Sequence, residues 1–237
     1  MDNRQSTIVS VIIPTFNEAD RIVRTISCLH AAGGQHAMEI IVADGGSTDG
    51  TAALAAAAGA IVVYSERKGR AVQMNQGAAR ATGEMLYFLH ADSVPPVDFA
   101  RKIREAYLRG VTCGCYRLAF DHDHWFLHAN AWFTRFNLNA FRFGDQSLFV
   151  TKAVFEKAGR FREDLYIMED QEIIHRLKKQ GRFAVLNDRV VTSARKYLDT
   201  GIYRLQGVFF VMWIFYYLGF SQARLLKLHR KWLRDTR

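Results

Sequence analysis

Cysteine is scarce in this chain: Cys28, Cys113 and Cys115 are the only three in 237 residues. Three make no even disulfide framework, and Cys113-Gly-Cys115 has the wrong spacing for a zinc knuckle, so a reduced, cytoplasmic setting is expected. Cys28 falls on the apolar side of a predicted helix, where a small core residue fits, and Cys113 and Cys115 read as structural. Acid is the minority charge, with 23 Asp+Glu against 32 Lys+Arg and a formal net charge of +9. That surplus favours an anionic partner: a nucleotide, nucleic acid or the face of an acidic membrane. Residues 1–6 are polar and lack the apolar core of a secretory signal. Internal repeats, low-complexity runs and Pro/Gly/Ser linkers are missing, which argues for a single domain with a sizeable core.

Long apolar runs are missing too, with one exception. Between Leu205 and Ala223 no residue is charged and aromatics are dense. A spanning helix needs roughly 20 apolar residues, but Gln206, Gly207, Gly219, Ser221 and Gln222 weaken the ends of this window. Arg224, Lys227, His229, Arg230, Lys231, Arg234 and Arg237 follow at once. A buried or dimer-interface helix is the first reading of the segment, in-plane membrane contact the second, and a transmembrane span the third. The chain is thus expected to divide into residues 1–200 and a hydrophobic, basic extension, 201–237, packed on them or at an interface.

What is present is an alternation of strands and helices, the pattern of a parallel sheet wrapped by helices. Residues 8–13 form an apolar strand expected to end at Pro14, after which Asn17 caps a helix with Ile22, Ile26 and Leu29 on one face. A second strand, 39–43, is broken by Gly45-Gly46, and Thr48 or Asp49 opens an Ala-rich helix that stops at Gly59. The third strand covers 60–64. Lys68-Gly69-Arg70 opens the next helix, to Ala81, and a strand at 84–89 lies between Gly83 and Pro95-Pro96. The second half is less regular, with helices at 99–108, 124–136, 152–158 and 170–180. Its strands fall at 115–120, 146–150, 182–186 and 189–193.

The polar residues of the first half gather at strand ends. In an open α/β sheet ligands bind at the carboxyl ends of the strands. Four loops are therefore expected to line one crevice: Pro14-Thr15-Phe16-Asn17-Glu18, Asp44-Gly45-Gly46-Ser47, Lys68-Gly69-Arg70 and His90-Ala91-Asp92. Their contents suit a nucleoside diphosphate. Asp44 accepts from a base or ribose, Gly45 and Gly46 admit close backbone approach, Arg70 neutralises phosphate, and Asp92 holds a divalent ion. Singly, each has a plainer reading: Asn17 and Ser47 as caps, Gly45-Gly46 as a turn, Lys68 and Arg70 as surface charge, Asp92 as a cap. The functional reading rests on co-location. Glu169-Asp170, two acids at a helix start, read on spacing as dipole and capping residues, although beside an apolar wall they also supply a general base. His122, His124 and His128 cluster with Asp121 and Asp123; without partners of fixed geometry they read as a surface or acceptor-side feature.

In this order, Val9-Ser-Val-Ile-Ile-Pro-Thr-Phe-Asn-Glu18, Asp44-Gly-Gly-Ser-Thr-Asp-Gly-Thr51, the strand ending in Ala91-Asp92 and Glu169-Asp170 resemble family 2 glycosyltransferases of the GT-A fold. The resemblance runs from Ser10 to about Ala194. A narrower set comprises Lys68-Gly-Arg-Ala-Val-Gln-Met-Asn75, Leu89-His-Ala-Asp92, Gly144-Asp-Gln146, Met168-Glu-Asp170 and Thr192-Ser-Ala-Arg195. It is similar to a bacterial subgroup associated with arsenosugar biosynthesis. The resemblance implies one GT-A domain, α/β with a mixed, mostly parallel sheet, that moves a single sugar with inversion. The donor is of UDP or GDP type, the acceptor bears a hydroxyl, and Mg²⁺ or Mn²⁺ assists.

By this resemblance Asp170 matches the catalytic base, Glu169 its neighbour, and Asp92 the last acid of the Asp-x-Asp metal motif. Pro14, Thr15, Asn17, Glu18, Asp44, Gly46, Ser47, Lys68 and Arg70 are assigned to the nucleotide. Asp145 and Gln146, with the aromatic helix after His124, are assigned to the acceptor. Two departures stand out: Gly45 occupies a common second acid position, and His90 replaces the first acid of Asp-x-Asp. Metal binding then leans on the diphosphate itself. The Gln-x-x-Arg-Trp motif of processive synthases is absent, which agrees with single-sugar addition.

Two rival classes are weaker. A nucleotidyltransferase wants a Gly-rich loop with a Lys near the first strand, and residues 14–18 offer neither. A nucleic-acid binder lines one face with basic residues and interleaved aromatics; here the cations are dispersed except beyond Arg224. A non-catalytic protein binding nucleotide or a membrane surface through the basic tail is the alternative. The expected partners are a sugar donor, a hydroxyl acceptor, and a second copy or a peripheral membrane contact at the C-terminal segment, with no nucleic acid.

Overall fold

Residues 8–34, 36–142 and 144–233 are described by the computed structural model, so the expectations placed on residues 1–6, Arg234 and Arg237 lie outside it. The chain begins β1 (Val9–Thr15), α1 (Ala19–Gly33), β2 (Met38–Asp44), α2 (Thr51–Ala57), β3 (Ile61–Tyr64), α3 (Arg70–Arg80) and β4 (Met85–Phe88). It continues with β5 (Ser93–Val94), α4 (Phe99–Leu108), β6 (Cys113–Phe120), α5 (Trp125–Phe133), β7 (Leu148–Thr151), α6 (Lys152–Lys157), α7 (Glu169–Gln180) and β8 (Phe183–Thr192). It closes with α8 (Arg195–Thr200), α9 (Ile202–Tyr217) and α10 (Gln222–Trp232).

Among the described residues one mixed sheet forms, in the order β3-β2-β1-β4-β7-β6-β8-β5. β1 to β4 run parallel through helical crossovers, and β7 reverses the direction by pairing antiparallel with both β4 and β6. Side chains alternate across the pleat: Val9, Val11 and Ile13 enter one core and Ile12 the other. Ile22, Ile26, Leu29, Ala55, Phe99 and Ile103 cover the first face from α1, α2 and α4. Met74, Phe155, Ile173 and Leu177 cover the second from α3, α6 and α7. Cover on both faces is why the strands read as continuous apolar runs. The result is a single α/β domain, as the sequence leads one to expect.

The structure departs from the sequence reading at several points. Pro14 does not end β1 but lies within it, opposite Ala43. Leu89 donates to the Ile12 carbonyl, so Pro14, the next residue on that side, faces the place where pairing with β4 has stopped. Its missing N–H breaks no ladder bond there. The two strands expected at 182–186 and 189–193 are one strand, β8, with a register shift that leaves Asn187 and Asp188 as a bulge. The strand expected from residue 146 begins at Leu148, and residues 144–146 form a 3₁₀ turn. Cys28 is half-buried rather than in the core, Cys113 and Cys115 are buried, and the three are free thiols.

The uncharged C-terminal window is not one helix. Gly219, at φ +81°, turns the chain, and Ser221 caps α10 by accepting from the Arg224 amide. Among the described residues no helix is long and apolar enough to cross a membrane.

Candidate active site

β1 and β2 end side by side, with Thr15 opposite Asp44, and side chains tie the loops beyond them together. Ser47 Oγ accepts from the Asn17 amide at 2.9 Å, and Asn17 Oδ1 accepts from the Thr48 amide at 3.0 Å. Asp49 Oδ2 accepts from the Ala19 amide at 3.0 Å, and Thr51 Oγ1 from Glu18 at 2.9 Å. The start of α1 is therefore held by the neighbouring loop, while Asn17, expected as its cap, laces the two loops together at φ +54°.

Asp44 faces inward. Its carboxylate accepts from the Gly46 and Ser47 amides at 3.0 and 2.8 Å and from the Ser47 and Thr15 hydroxyls, and it is 1% exposed. Its work here is to shape the loop, leaving Gly46, at φ +84°, exposed at the rim. Gln73 reaches from α3 and donates to the Thr15 and Ala43 carbonyls at 2.6 and 2.8 Å. A Cβ on Gly45 would come within 2.9 Å of that same amide nitrogen, so glycine is required there by close approach. Lys68 Nζ lies 4.5 Å from the centroid of Phe16, a cation over an aromatic face. Pro14 is half-buried beside this loop, and Glu18 pairs with Arg21 at 3.4 Å.

Arg70 opens α3, and its Nε lies 3.0 Å from Glu169 Oε1; the Glu169 side chain is 3% exposed and that of Arg70 47%. Glu169 raises the Arg70 pKa most, against burial, and Asp170, Asp145 and Asp92 add to it. Acids from separate stretches of the chain thus converge on one cation. Asp92, half-buried, lies within a turn that the Ser93 amide closes by donating to the His90 carbonyl at 3.1 Å.

Strand register explains the arrival of Asp145. Phe88 pairs antiparallel with Leu148, so extending the ladder brings His90 alongside the residues just before Ser147. His90 Nδ1 lies 3.0 Å from Asp145 Oδ1. Burial opposes ionisation of Asp145, yet the hydrogen bond and charge of His90, with Lys196 and Arg70, hold its pKa well below the usual carboxylate range. Arg142, fully buried, anchors the preceding segment by donating to the Thr134 and Phe136 carbonyls and to the Cys115 sulfur. Gln146 departs from the acceptor-side expectation. It is 1% exposed, and its amide points inward, toward the Tyr116 and Thr134 carbonyls.

α7 starts after Met168, which holds a left-handed φ of +68°, and no side chain caps the helix. Neither acid is a cap; Asp170 Oδ1 accepts from the Gln171 amide at 2.8 Å. Burial, reinforced by Glu169, pushes the Asp170 pKa up to about 6, against Arg70 and the Gln171 amide. A carboxylate so tuned suits general-base work near neutrality. Arg70, Phe88, His90, Glu169, Asp170 and Ile174 line a cavity of about 20 Å³, room for one water.

A larger groove, about 400 Å³, lies apart from these residues between α4 and β8, where Arg101 pairs with Glu105 and Lys102 with Asp188. Of the histidine cluster, His124 caps α5 by accepting from the Phe126 amide, and His128 meets Asp123 at 2.8 Å on the surface. Among the described residues no group of three or more His, Cys, Asp or Glu side chains is arranged to hold a metal. Sequence reasoning gave Gln73 no role beyond its place in the Lys68–Asn75 motif, and missed the His90–Asp145 contact and Lys196. The one available signal was Gln73, a polar residue three positions after Arg70 on the buried face of α3.

Residues 10–163 match the family model of glycosyl transferase family 2. An uncharacterised glycosyltransferase of Mycobacterium tuberculosis is 37% identical over 102 residues, 41% of this chain and 39% of that protein. Glucosyl-3-phosphoglycerate synthase of Mycolicibacterium smegmatis is 32% identical over 96 residues, 37% of this chain and 32% of the relative. The chain therefore spans about a third to two fifths of the length of these curated relatives. Among solved structures, a mannosyltransferase from Pyrobaculum calidifontis in complex with GDP-Man and Mn²⁺ superposes with a TM-score of 0.67 at 19% identity, over 97% of this chain and 65% of that one. Glucosyl-3-phosphoglycerate synthase from Mycobacterium tuberculosis, with Mn²⁺, UDP and glucosyl-3-phosphoglycerate, gives 0.57 at 20% identity, over 78% and 71%. At these identities the likeness is one of fold.

Proposed function

The chain belongs to glycosyl transferase family 2 and is a transferase of the GT-A fold; on that premise we propose that it moves one sugar, with inversion, from a nucleoside diphosphate to a hydroxyl acceptor. The observation that supports this reading most is that Arg70, His90, Glu169 and Asp170 line one cavity, with Glu169 3.0 Å from Arg70, Asp145 3.0 Å from His90, and the charge of Asp92 felt at Arg70. We take residues 1–200 as the catalytic unit and 201–237 as an extension packed on it or at an interface.

The nucleoside lies against the loops after β1 and β2, where exposed Gly46 admits close approach and Asp44 and Gln73 keep the loop in shape. Pro14, Thr15, Asn17, Glu18 and Ser47 form its wall, and Lys68 stands at the mouth. Asp170 takes the acceptor hydroxyl proton as the oxygen bonds to the anomeric carbon. The bond from that carbon to the diphosphate breaks on the opposite face, and its electron pair leaves with the diphosphate. Arg70 offsets the charge that builds there, held in place by Glu169. Asp145, beside His90, faces the acceptor.

A divalent ion fits this donor set. Asp92 is a hard oxygen ligand of the kind Mg²⁺ and Mn²⁺ take; among the described residues no cluster of three ligands surrounds it, so an ion there would be held by Asp92 together with the donor. When bound, the ion supplies charge stabilisation to the leaving group. The GDP-Man and UDP complexes of the solved neighbours support a donor of UDP or GDP type. The motif from Lys68 to Asn75 supports membership of the bacterial subgroup associated with arsenosugar biosynthesis. Two of its side chains are engaged in the site: Gln73 as above, and Asn75, which donates to the Phe161 carbonyl at 2.9 Å.

The test is a thermal-shift comparison of UDP and GDP, each with Mn²⁺, against an oligonucleotide, followed by a hydrolysis screen of nucleotide-sugars. Stabilisation by one nucleoside diphosphate and turnover of its sugar are expected. Stabilisation by the oligonucleotide alone overturns the proposal.

A further inference from the structure

Beyond Arg204 and Gln206, α9 is apolar on every side. Leu205, Val208 and Met212 turn inward, the last two against Leu225 of α10. On the opposite stripe, at helical spacing, Tyr203, Phe210 and Tyr217 are 58%, 58% and 57% exposed, with Leu218 beyond them at 68%. A helix apolar all round belongs in an interior, yet Tyr203, Phe210 and Tyr217 stand open to water. Its rings form two groups along that stripe, on either side of Gly207. Phe210 stacks on Trp213 with centroids 6.2 Å apart, and Trp213 meets Tyr217 at 4.9 Å. At the start of the helix Trp125 of α5, itself exposed, lies 6.4 Å from Tyr203. Tyr203 to Tyr217 alone spans about 21 Å along the axis.

Charge within the hairpin has one sign, while Asp164 and Glu172 from outside it face Tyr216 and exposed Asp123 lies two residues before Trp125. No Asp or Glu occurs between Thr200 and Leu233, while Arg204, Arg224, Lys227, Arg230 and Lys231 all do. Arg224, Lys227, Arg230 and Lys231 share the exposed face of α10, away from buried Leu225. Cations three and four residues apart on one helix repel, and no carboxylate within the hairpin relieves them.

We propose that the α9–α10 hairpin, with Trp125, docks on an anionic lipid surface. Trp and Tyr suit the headgroup region, where one part of the ring is apolar and the other wet. Cations beside them attract acidic headgroups. A second copy is the poorer occupant, because a two-fold contact through the same patch sets one basic helix near its equal.

The hairpin is also joined to the site. Gln222 Oε1 accepts from the Tyr166 and Ile167 amides at 3.1 and 3.2 Å, and its Nε2 donates to the Ile167 carbonyl at 3.3 Å. Ile167 and Met168 pack against the hairpin core, immediately before Glu169 and Asp170. Docking therefore brings the stretch that carries Asp170 close to the bilayer. The inference stands independently of the transferase reading.

Vesicle cosedimentation of the full chain tests it, with phosphatidylcholine alone and with phosphatidylcholine and phosphatidylglycerol in equal parts, at low and high salt. Binding to the anionic vesicles, weakened by salt, is expected. Neutralising the basic face with Arg224→Gln, Lys227→Gln and Arg230→Gln lowers partitioning by about tenfold or more. Phe210→Ser alone, or together with Tyr203→Ser and Tyr217→Ser, lowers it too, with the thermal midpoint reporting intact folding. No preference for the anionic vesicles, or variants that bind as the parent does, overturns the proposal. So does a dimer in sedimentation velocity that Phe210→Ser dissociates while vesicles are ignored, since the aromatic stripe then belongs to a second copy.

Discussion

Arg70 Nε stands 3.0 Å from Glu169 Oε1, and Asp170 follows Glu169 in the first turn of α7. The cation proposed to meet the donor diphosphate and the carboxylate proposed to deprotonate the acceptor are thus joined through one buried acid. Changing either end of that pair alters the other.

Asp170→Asn keeps shape and removes basicity. Turnover is expected to fall about 10²–10⁴-fold, while nucleotide affinity measured by titration calorimetry stays near the parent value. Parallel loss of both assigns Asp170 to donor binding instead.

The pH dependence has a definite sign. With the Asp170 pKa pushed up to about 6, kcat/KM rises as the carboxylate ionises and levels off above that pH. Glu169 raises this pKa and Arg70 lowers it. Glu169→Gln therefore moves the limb to lower pH, and Arg70→Gln moves it higher. Stability runs the other way: a carboxylate whose folded pKa lies above its ordinary 3.8 favours the fold at low pH and loses that contribution as pH rises through about 6. Asp170→Asn is thus expected to gain stability relative to the parent at pH 7 but not at pH 4. A limb unmoved by Glu169→Gln removes Asp170 as the titrating group.

Gln73→Leu leaves the Thr15 and Ala43 carbonyls without a shared buried donor. A loss of about 1–3 kcal/mol is expected, read as a lower thermal midpoint together with weaker nucleotide binding. An unchanged midpoint shows that the bridge is dispensable.

Gln222→Ala releases the segment that enters the left-handed Met168. A base displaced by even a fraction of an ångström slows chemistry, so kcat falls about tenfold or more while the donor KM holds. Gln222→Glu keeps the bonds accepted from the Tyr166 and Ile167 amides and recovers most of the rate. A uniform loss in both variants points to a folding defect.

The parallel half of the sheet was legible to within one or two residues at each strand end. Its strand–helix units are local, so periodicity and glycine breaks locate β1 to β4 and put Thr15, Asp44, Arg70 and Asp92 at one edge. The mistakes share a cause. Pro14 was read as a stop because a sequence does not say which edge of a strand lacks a partner. Asn187 and Asp188 looked like a break because a bulge and a turn use the same polar residues. Asp44 was expected to accept from a base or ribose, whereas its own loop occupies both carboxylate oxygens.

By itself the sequence determined the α/β alternation, the edge where polar loops collect, and the one-signed charge of the C-terminal helices. All of these follow from patterns within a few turns of chain. Only the tertiary structure decided that β7 inserts antiparallel beside β4 and sets Asp145 against His90, that Glu169 grips Arg70, and that α9 keeps an aromatic face in water. Each joins residues far apart in the chain, and hydrophobic periodicity reports that a side chain is buried without reporting what buries it.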